Sequence, residues 1–143
     1  MLAEVKQGLL VVAALTLVVV LAIALLGGGG DDEPERITGA PKEIAAVVAR
    51  LERATQRREF NVLCDDLFTR SARERAGGKD CVALLRETAK DVRKARIRLL
   101  DVRVQGNRAR ARVRTTSEGQ TAVEETIDLV RERGRYRISA LVS

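Results

Sequence analysis

Residues 108–115 read RARARVRT, with an arginine at every second position and a small or apolar side chain, or the threonine, between. A period of two marks a β-strand with one wet face and one buried face. Arg108, Arg110, Arg112 and Arg114 then share the solvent side, while Ala109, Ala111, Val113 and Thr115 face a core. The same period runs to either side. Val123, Ile127 and Leu129 share a face on the next strand, and Tyr136, Ile138, Ala140 and Val142 share one on the last. In the first strand, Ile97 and Leu99 disagree in parity with Leu100, Val102 and Val104. A β-bulge near Leu99 and Leu100 reconciles them and bends the sheet.

The turns fix a register. Gly106-Asn107 as a two-residue hairpin sets Val104 against Ala109 and Val102 against Ala111. A three-residue loop at Ser117, Glu118 and Gly119 sets Val113 opposite Val123, Arg112 opposite Glu124 and Arg108 opposite Asp128. A turn at Arg133-Gly134 sets Leu129 against Ile138 and Ile127 against Ala140. Together these predict a four-stranded antiparallel meander with one apolar face.

Upstream, the period becomes helical. Pro41 suits a first turn, where its missing N–H is no loss. Ile44, Val47, Val48, Leu51 and Ala54 then mark one helical face. A second helical stretch holds Phe60, Leu63, Cys64, Leu67 and Phe68, with Thr69 and Ser71 as candidate caps and a break at Gly77-Gly78. A third follows, capped by Asp80, with Cys81, Leu84, Leu85, Thr88 and Val92 on its face. The expected class is α+β: about three helices packed on one side of a curved four-stranded sheet, spanning 41–143.

Residues 9–26, LLVVAALTLVVVLAIALL, contain no charge, and thirteen of them are Leu, Val or Ile. As a helix they measure roughly 27 Å at about 1.5 Å per residue, close to the hydrocarbon thickness of a bilayer. A short N-terminal tail (1–8), a transmembrane helix (9–26) and a Gly-rich, acidic tether (27–40) therefore precede the domain. Ala22-Ile23-Ala24 also resembles a cleavage site, but the apolar run is longer than a typical signal-peptide core and continues past it. An uncleaved single-pass anchor is expected.

The flanking charges leave orientation nearly neutral, so the two cysteines decide. Cys64 and Cys81 are a disulfide candidate, because an even pair in a small domain outside the cytoplasm reads as a bridge. The alternative is two buried free thiols. A metal site lacks ligands, since the chain has no histidine and two thiolates do not complete a zinc shell. The domain is therefore expected on the extracytoplasmic side of the cell membrane.

Net charge is +6, and the arginine stripe invites a nucleic-acid reading. Glu124, Asp128 and Asp101 stand where they can neutralise the stripe. Stacking aromatics are scarce, with one Tyr, two Phe and no Trp, so nucleic acid is not an expected partner. Anionic lipid headgroups or envelope polymers remain an alternative for this basic sheet face. Without histidine the commonest general base is missing, and no phosphate loop or nucleophile elbow is present. Glu125 alone breaks the apolar face, and a carboxylate there suits acid or base work inside a pocket. Tyr136, on the same face of the neighbouring strand, is its candidate hydrogen-bonding partner.

The cysteine-bearing helices NVLCDDLFTRSARE and KDCVALLRE, followed by an antiparallel sheet closing in RYRISALV, resemble small extracytoplasmic members of the nuclear transport factor 2-like superfamily. The resemblance covers about 41–143. It implies a cone made of a bent sheet wrapped around helices, in a superfamily holding both ketosteroid isomerase-like enzymes and non-catalytic binding domains. The strand hairpin usual between the second and third helices is not evident, so a reduced cone is expected, and the isomerase's catalytic Asp has no match here.

The leading expectation is a non-enzymatic, cofactor-free binding domain for a small apolar ligand or an envelope protein. One alternative is an isomerase or hydratase using Glu125 and Tyr136. Another is a cytoplasm-facing anchor that binds anionic lipid or a regulatory partner. The sequence leaves the oligomeric state open.

Topology is testable with a membrane-impermeant thiol reagent. Labelling of intact cells should require reduction but no permeabilisation. Prompt labelling that needs permeabilisation and no reduction contradicts the outward placement.

Overall fold

A computed structural model describes residues 39–142. The expected membrane helix (9–26), the N-terminal tail and residues 27–38 of the expected tether lie outside the described residues. Among the described residues no helix is long and apolar enough to cross a membrane.

The first helix, α1 (Ala40–Arg57), starts on the last residue assigned to the tether, and Pro41 occupies its first turn. Its buried stripe is Ile44, Val48, Leu51 and Ala54. Arg58 ends it in a left-handed conformation (φ 57°). There the Glu59 N–H donates to the Ala54 carbonyl (2.9 Å) and the Arg58 N–H to that of Thr55 (3.2 Å). This pairing satisfies carbonyls that the helix end would otherwise orphan. The Arg58 guanidinium then donates to the carbonyls of Lys90 (3.1 Å) and Val92 (3.4 Å), tying the helix end to the approach to the sheet.

The remaining helical segments are more broken than expected. A π-helical turn (Val62–Leu67) is followed by α2 (Arg70–Arg75), a 3₁₀ turn (Gly78–Asp80) and α3 (Cys81–Thr88). The break falls at Phe68, which is extended (φ −79°, ψ 147°). Phe68 forms a parallel bridge with Ile138, and the Thr69 N–H donates to the Ile138 carbonyl (2.9 Å). Thr69 is a cap, but at the start of α2, accepting from the Ala72 N–H (3.0 Å). Asp80 makes no side-chain capping bond. Helix α3 stops at Thr88, so Val92 is outside it, and Leu84 is exposed rather than on a buried face.

The sheet is an antiparallel meander, β1 (Arg96–Gln105), β2 (Arg108–Thr116), β3 (Val123–Glu132) and β4 (Arg135–Val142), in chain order. Val104 faces Ala109 and Val102 faces Ala111, as the Gly106-Asn107 hairpin requires. The expected bulge is present, with Leu100 as the extra residue between Leu99 and Asp101.

The second connection corrects the sequence reading. It runs on to Ala122, so Val113 faces Glu125, Arg112 faces Thr126, Arg114 faces Glu124 and Arg110 faces Asp128. A shift of two keeps every side chain on its own face, so the apolar pattern does not resist it. A second bulge, at Ser139, leaves Leu129 opposite Ile138 as expected but sets Ile127 opposite Leu141 rather than Ala140, so Ala140 and Val142, opposite Asp128 and Thr126, leave the face that Tyr136 and Ile138 share. The Ser139 hydroxyl donates to the Asp128 carbonyl (3.1 Å) within this bulge.

The core joins the α1 stripe to Ala109, Ala111, Val113, Ile127, Leu129 and Ile138 of the sheet, with Phe60, Leu63, Leu67 and Phe68 between them. Cys64 and Cys81 are bridged, with Cα atoms 6.2 Å apart and both residues buried. The bridge fastens the π-helical turn to the first residue of α3 across a separation of 17 residues.

Replacing both cysteines (Cys64→Ala with Cys81→Ala) should lower unfolding stability by about 3 kcal/mol on the chain-entropy account. Denaturant titration without added reductant, so that the unaltered chain keeps its bridge, measures it, and an unchanged midpoint contradicts a structural role for the bridge.

Candidate functional site

Where α1, the π-helical turn and α3 meet the inner face of the sheet, a pocket of ≈ 190 Å³ remains. Leu51, Phe60, Leu63, Leu85, Val113 and Ile127 supply apolar walls, and Leu141, exposed, stands at its rim. Glu125 is the one ionisable residue among the described lining residues. It reaches the pocket because β3 presents it on the same face as Ile127. There it accepts a hydrogen bond from the Thr115 hydroxyl (3.1 Å), across the β2–β3 pair. The Thr55 hydroxyl is spent on the Leu51 carbonyl (2.8 Å) within α1.

A carboxylate has about four acceptor positions. With one taken by Thr115, Glu125 retains acceptor capacity for an N–H or O–H brought in by a ligand. The walls offer shape and desolvation, and Glu125 offers one directional contact.

Tyr136 does not join it. Glu125 lies near the start of β3, opposite Val113, whereas Tyr136 faces Arg131, six residues further along that strand. At about 3.4 Å per residue the two are roughly 20 Å apart. Tyr136 belongs to a second cleft of ≈ 180 Å³ with Glu43, Arg50, Asp66 and Arg135. The Arg131 guanidinium covers its ring at 4.8 Å. Glu43 orders this corner, accepting from the Tyr136 main-chain N–H (3.1 Å) and from Arg131 (2.6 Å). An acidic residue in the first turn of α1 also complements the helix dipole.

On the other face of the sheet, Arg108, Arg110, Arg112 and Arg114 are all exposed. Arg110 pairs with Asp128 (3.1 Å) and Arg114 with Glu124 (3.0 Å). The expected partners were Arg108 and Arg112, and the two-residue register shift moves each acid along by one arginine. Arg108 and Arg112 make no ion pair among the described residues. Toward β1 the stripe meets both signs: Asp101 stands opposite Arg112 but pairs with Arg103 (3.3 Å), while Arg103 is opposite Arg110 and Arg98 opposite Arg114. An open basin of ≈ 600 Å³ lies over this face, bounded on the β4 side by Ser71 and Arg75 of α2.

Among the described residues no cluster of three or more Cys, Asp or Glu is arranged to hold a metal ion. Sequence reasoning missed Thr115 as the partner of Glu125, although its hydroxyl sits at an inward position of a regular strand. It also missed Glu43, Arg75 and Arg103, whose roles come from elements distant in the chain and left no local signal.

No family model matches the sequence, and no curated protein matches it. Solved structures do match. A designed chain named Rd1NTF2_05, carrying five substitutions, is 15% identical with a TM-score of 0.55, covering 69% of this chain and 94% of that one. An NTF2-like protein of unknown function from Shewanella baltica is 13% identical with a TM-score of 0.53, covering 73% and 94%. A SEC-C motif-containing protein from Rhodopseudomonas palustris is 16% identical with a TM-score of 0.52, covering 68% and 76%. Helices packed on one face of a bent four-stranded meander, with solved structures of this kind superimposing over more than two thirds of the chain, give the domain a nuclear transport factor 2-like fold.

Proposed function

We propose that this chain is a membrane-tethered, non-catalytic binding module, facing away from the cytoplasm, that holds a small and largely apolar molecule between its sheet and helices. The observation that carries the reading is the ≈ 190 Å³ apolar pocket with the Glu125 and Thr115 pair in its wall. An apolar cavity of about 150 Å³ accommodates benzene. A ligand of one ring, bearing a single hydroxyl, amide N–H or ammonium directed at Glu125, matches both the volume and the polarity.

The Cys64–Cys81 bridge supports the extracytoplasmic setting, since disulfides persist in oxidising compartments. The apolar run at 9–26 supports the tether. An isomerase or hydratase needs a second group beside the carboxylate, and the roughly 20 Å along the strand between Glu125 and Tyr136 removes the one the sequence offers. Glu125 alone serves recognition better than proton transfer.

Methyl-labelled protein titrated with benzylamine and, separately, with toluene tests this reading by NMR. Both probes should shift the methyl resonances of Leu63, Leu85 and Val113. Glu125→Gln should weaken benzylamine roughly tenfold or more, as expected for a charge-assisted hydrogen bond, and leave toluene unchanged. Ala89→Phe, at a half-exposed lining position, should block both. Equal benzylamine binding by Glu125→Gln, or no methyl shift with either probe, contradicts the proposal.

A further inference from the structure

The basin on the outer face of the sheet concentrates positive charge. Directly opposed like charges destabilise a sheet, yet β1 and β2 set Arg103 against Arg110. Arg108 lies two residues from Arg110 on the same face, and Arg75 of α2 stands on the far side of the basin. Four guanidinium groups therefore share a volume of ≈ 600 Å³ with one carboxylate, Asp128.

Much of their hydrogen-bonding capacity is unspent. Asp128 takes only Nε of Arg110 (3.1 Å), and Asp101 takes only Nε of Arg103 (3.3 Å), leaving the terminal nitrogens of both forks open. Arg108 makes no side-chain hydrogen bond among the described residues. Arg75 is held in place by the Ser71 hydroxyl (2.6 Å) and by the Ser139 carbonyl at the β4 bulge.

We infer that this basin binds a discrete, multiply phosphorylated anion. A guanidinium fork matches two phosphate oxygens at once. Cross-strand neighbours stand about 5 Å apart and same-face neighbours about 7 Å, a spacing that suits successive phosphates better than one monoanion. The volume is within the roughly 300–1,000 Å³ of small-molecule sites. The lining contains no aromatic residue, so recognition rests on the phosphates and not on base stacking. The wall that Ser71 and Arg75 of α2 raise beside the sheet favours a discrete ligand over a planar lipid surface. The basin lies on the opposite face of the sheet from the Glu125 pocket, so either site stands without the other.

Calorimetric titration of the full-length chain, in zwitterionic detergent at low salt, with inorganic tripolyphosphate tests the site. Saturable binding that weakens with salt is expected, because exposed charges are screened within about 8 Å at physiological ionic strength. Arg108→Gln should weaken it roughly tenfold or more, with no fall in the thermal unfolding midpoint, since Arg108 makes no internal pair to lose. Arg112→Gln, on the same stripe but outside the basin, should bind as the unaltered chain does. Equal weakening by the two variants would reveal diffuse charge and overturn the assignment. So would the absence of binding at about 1 mM, or capture by phosphatidylglycerol vesicles in excess of capture by phosphatidylcholine vesicles, which the anchor alone supports, when tripolyphosphate does not compete that excess away.

Discussion

Burial of Ala109, Ala111 and Val113 beneath the helices is the constraint on which the rest of the domain depends, because β2 is paired on both edges and carries the strictest alternation. All three are nearly inaccessible to solvent. A slip of one residue in this strand would turn four arginines into the core, where an unpaired charge costs far more than the fold's net stability. The arginines thus specify the face as firmly as the apolar residues do. Once β2 is oriented, β1 and β3 inherit its face through their hairpin and loop. The α1 stripe of Ile44, Val48, Leu51 and Ala54 then has one surface to cover.

Two irregularities convert that layered core into a shape with sites. The Leu100 and Ser139 bulges each insert a residue into a strand, which increases local twist and bend. Beneath the bent sheet, the short helical segments leave the pocket at Glu125 unfilled, and the Cys64–Cys81 bridge holds together the two segments that contribute Leu63 and Leu85 to its wall. At the β4 edge, α2 lies against the sheet because Phe68 and Thr69 leave the helix to bond Ile138. That placement brings Arg75 to the basin.

The parts of this arrangement that were legible in the sequence are those where parity and turn chemistry agree. The β2 alternation, the Gly106-Asn107 hairpin and the Leu100 bulge each follow from an apolar residue that must face inward. The second connection departs from the expected loop because Val123, apolar and in inward parity, is 52% exposed and does not hold the register. The Ser139 bulge escapes the sequence pattern, since Ala140 and Val142 continue the parity of Tyr136 and Ile138, whereas past the bulge it is Leu141 that stands opposite Ile127. The π-helical turn differs from an α-helix by under one residue per turn, too little to register over six residues. Glu125 stood out as the one carboxylate on an apolar face. Its true partner, Thr115, depends on the register that Val123 obscured.

The two faces of one sheet thus carry opposite chemistry: an apolar pocket with a single carboxylate inside, and a field of guanidinium groups outside. The binding account rests most heavily on the inner pocket being a real, apolar and accessible space. Crystals of the protein under xenon pressure probe that space directly, since xenon enters empty apolar cavities. The account predicts xenon density bounded by Leu51, Phe60, Val113 and Ile127, beside a Glu125 that is bonded to Thr115. Collapse of these side chains onto one another, with Glu125 turned out to solvent and no xenon bound, would contradict it.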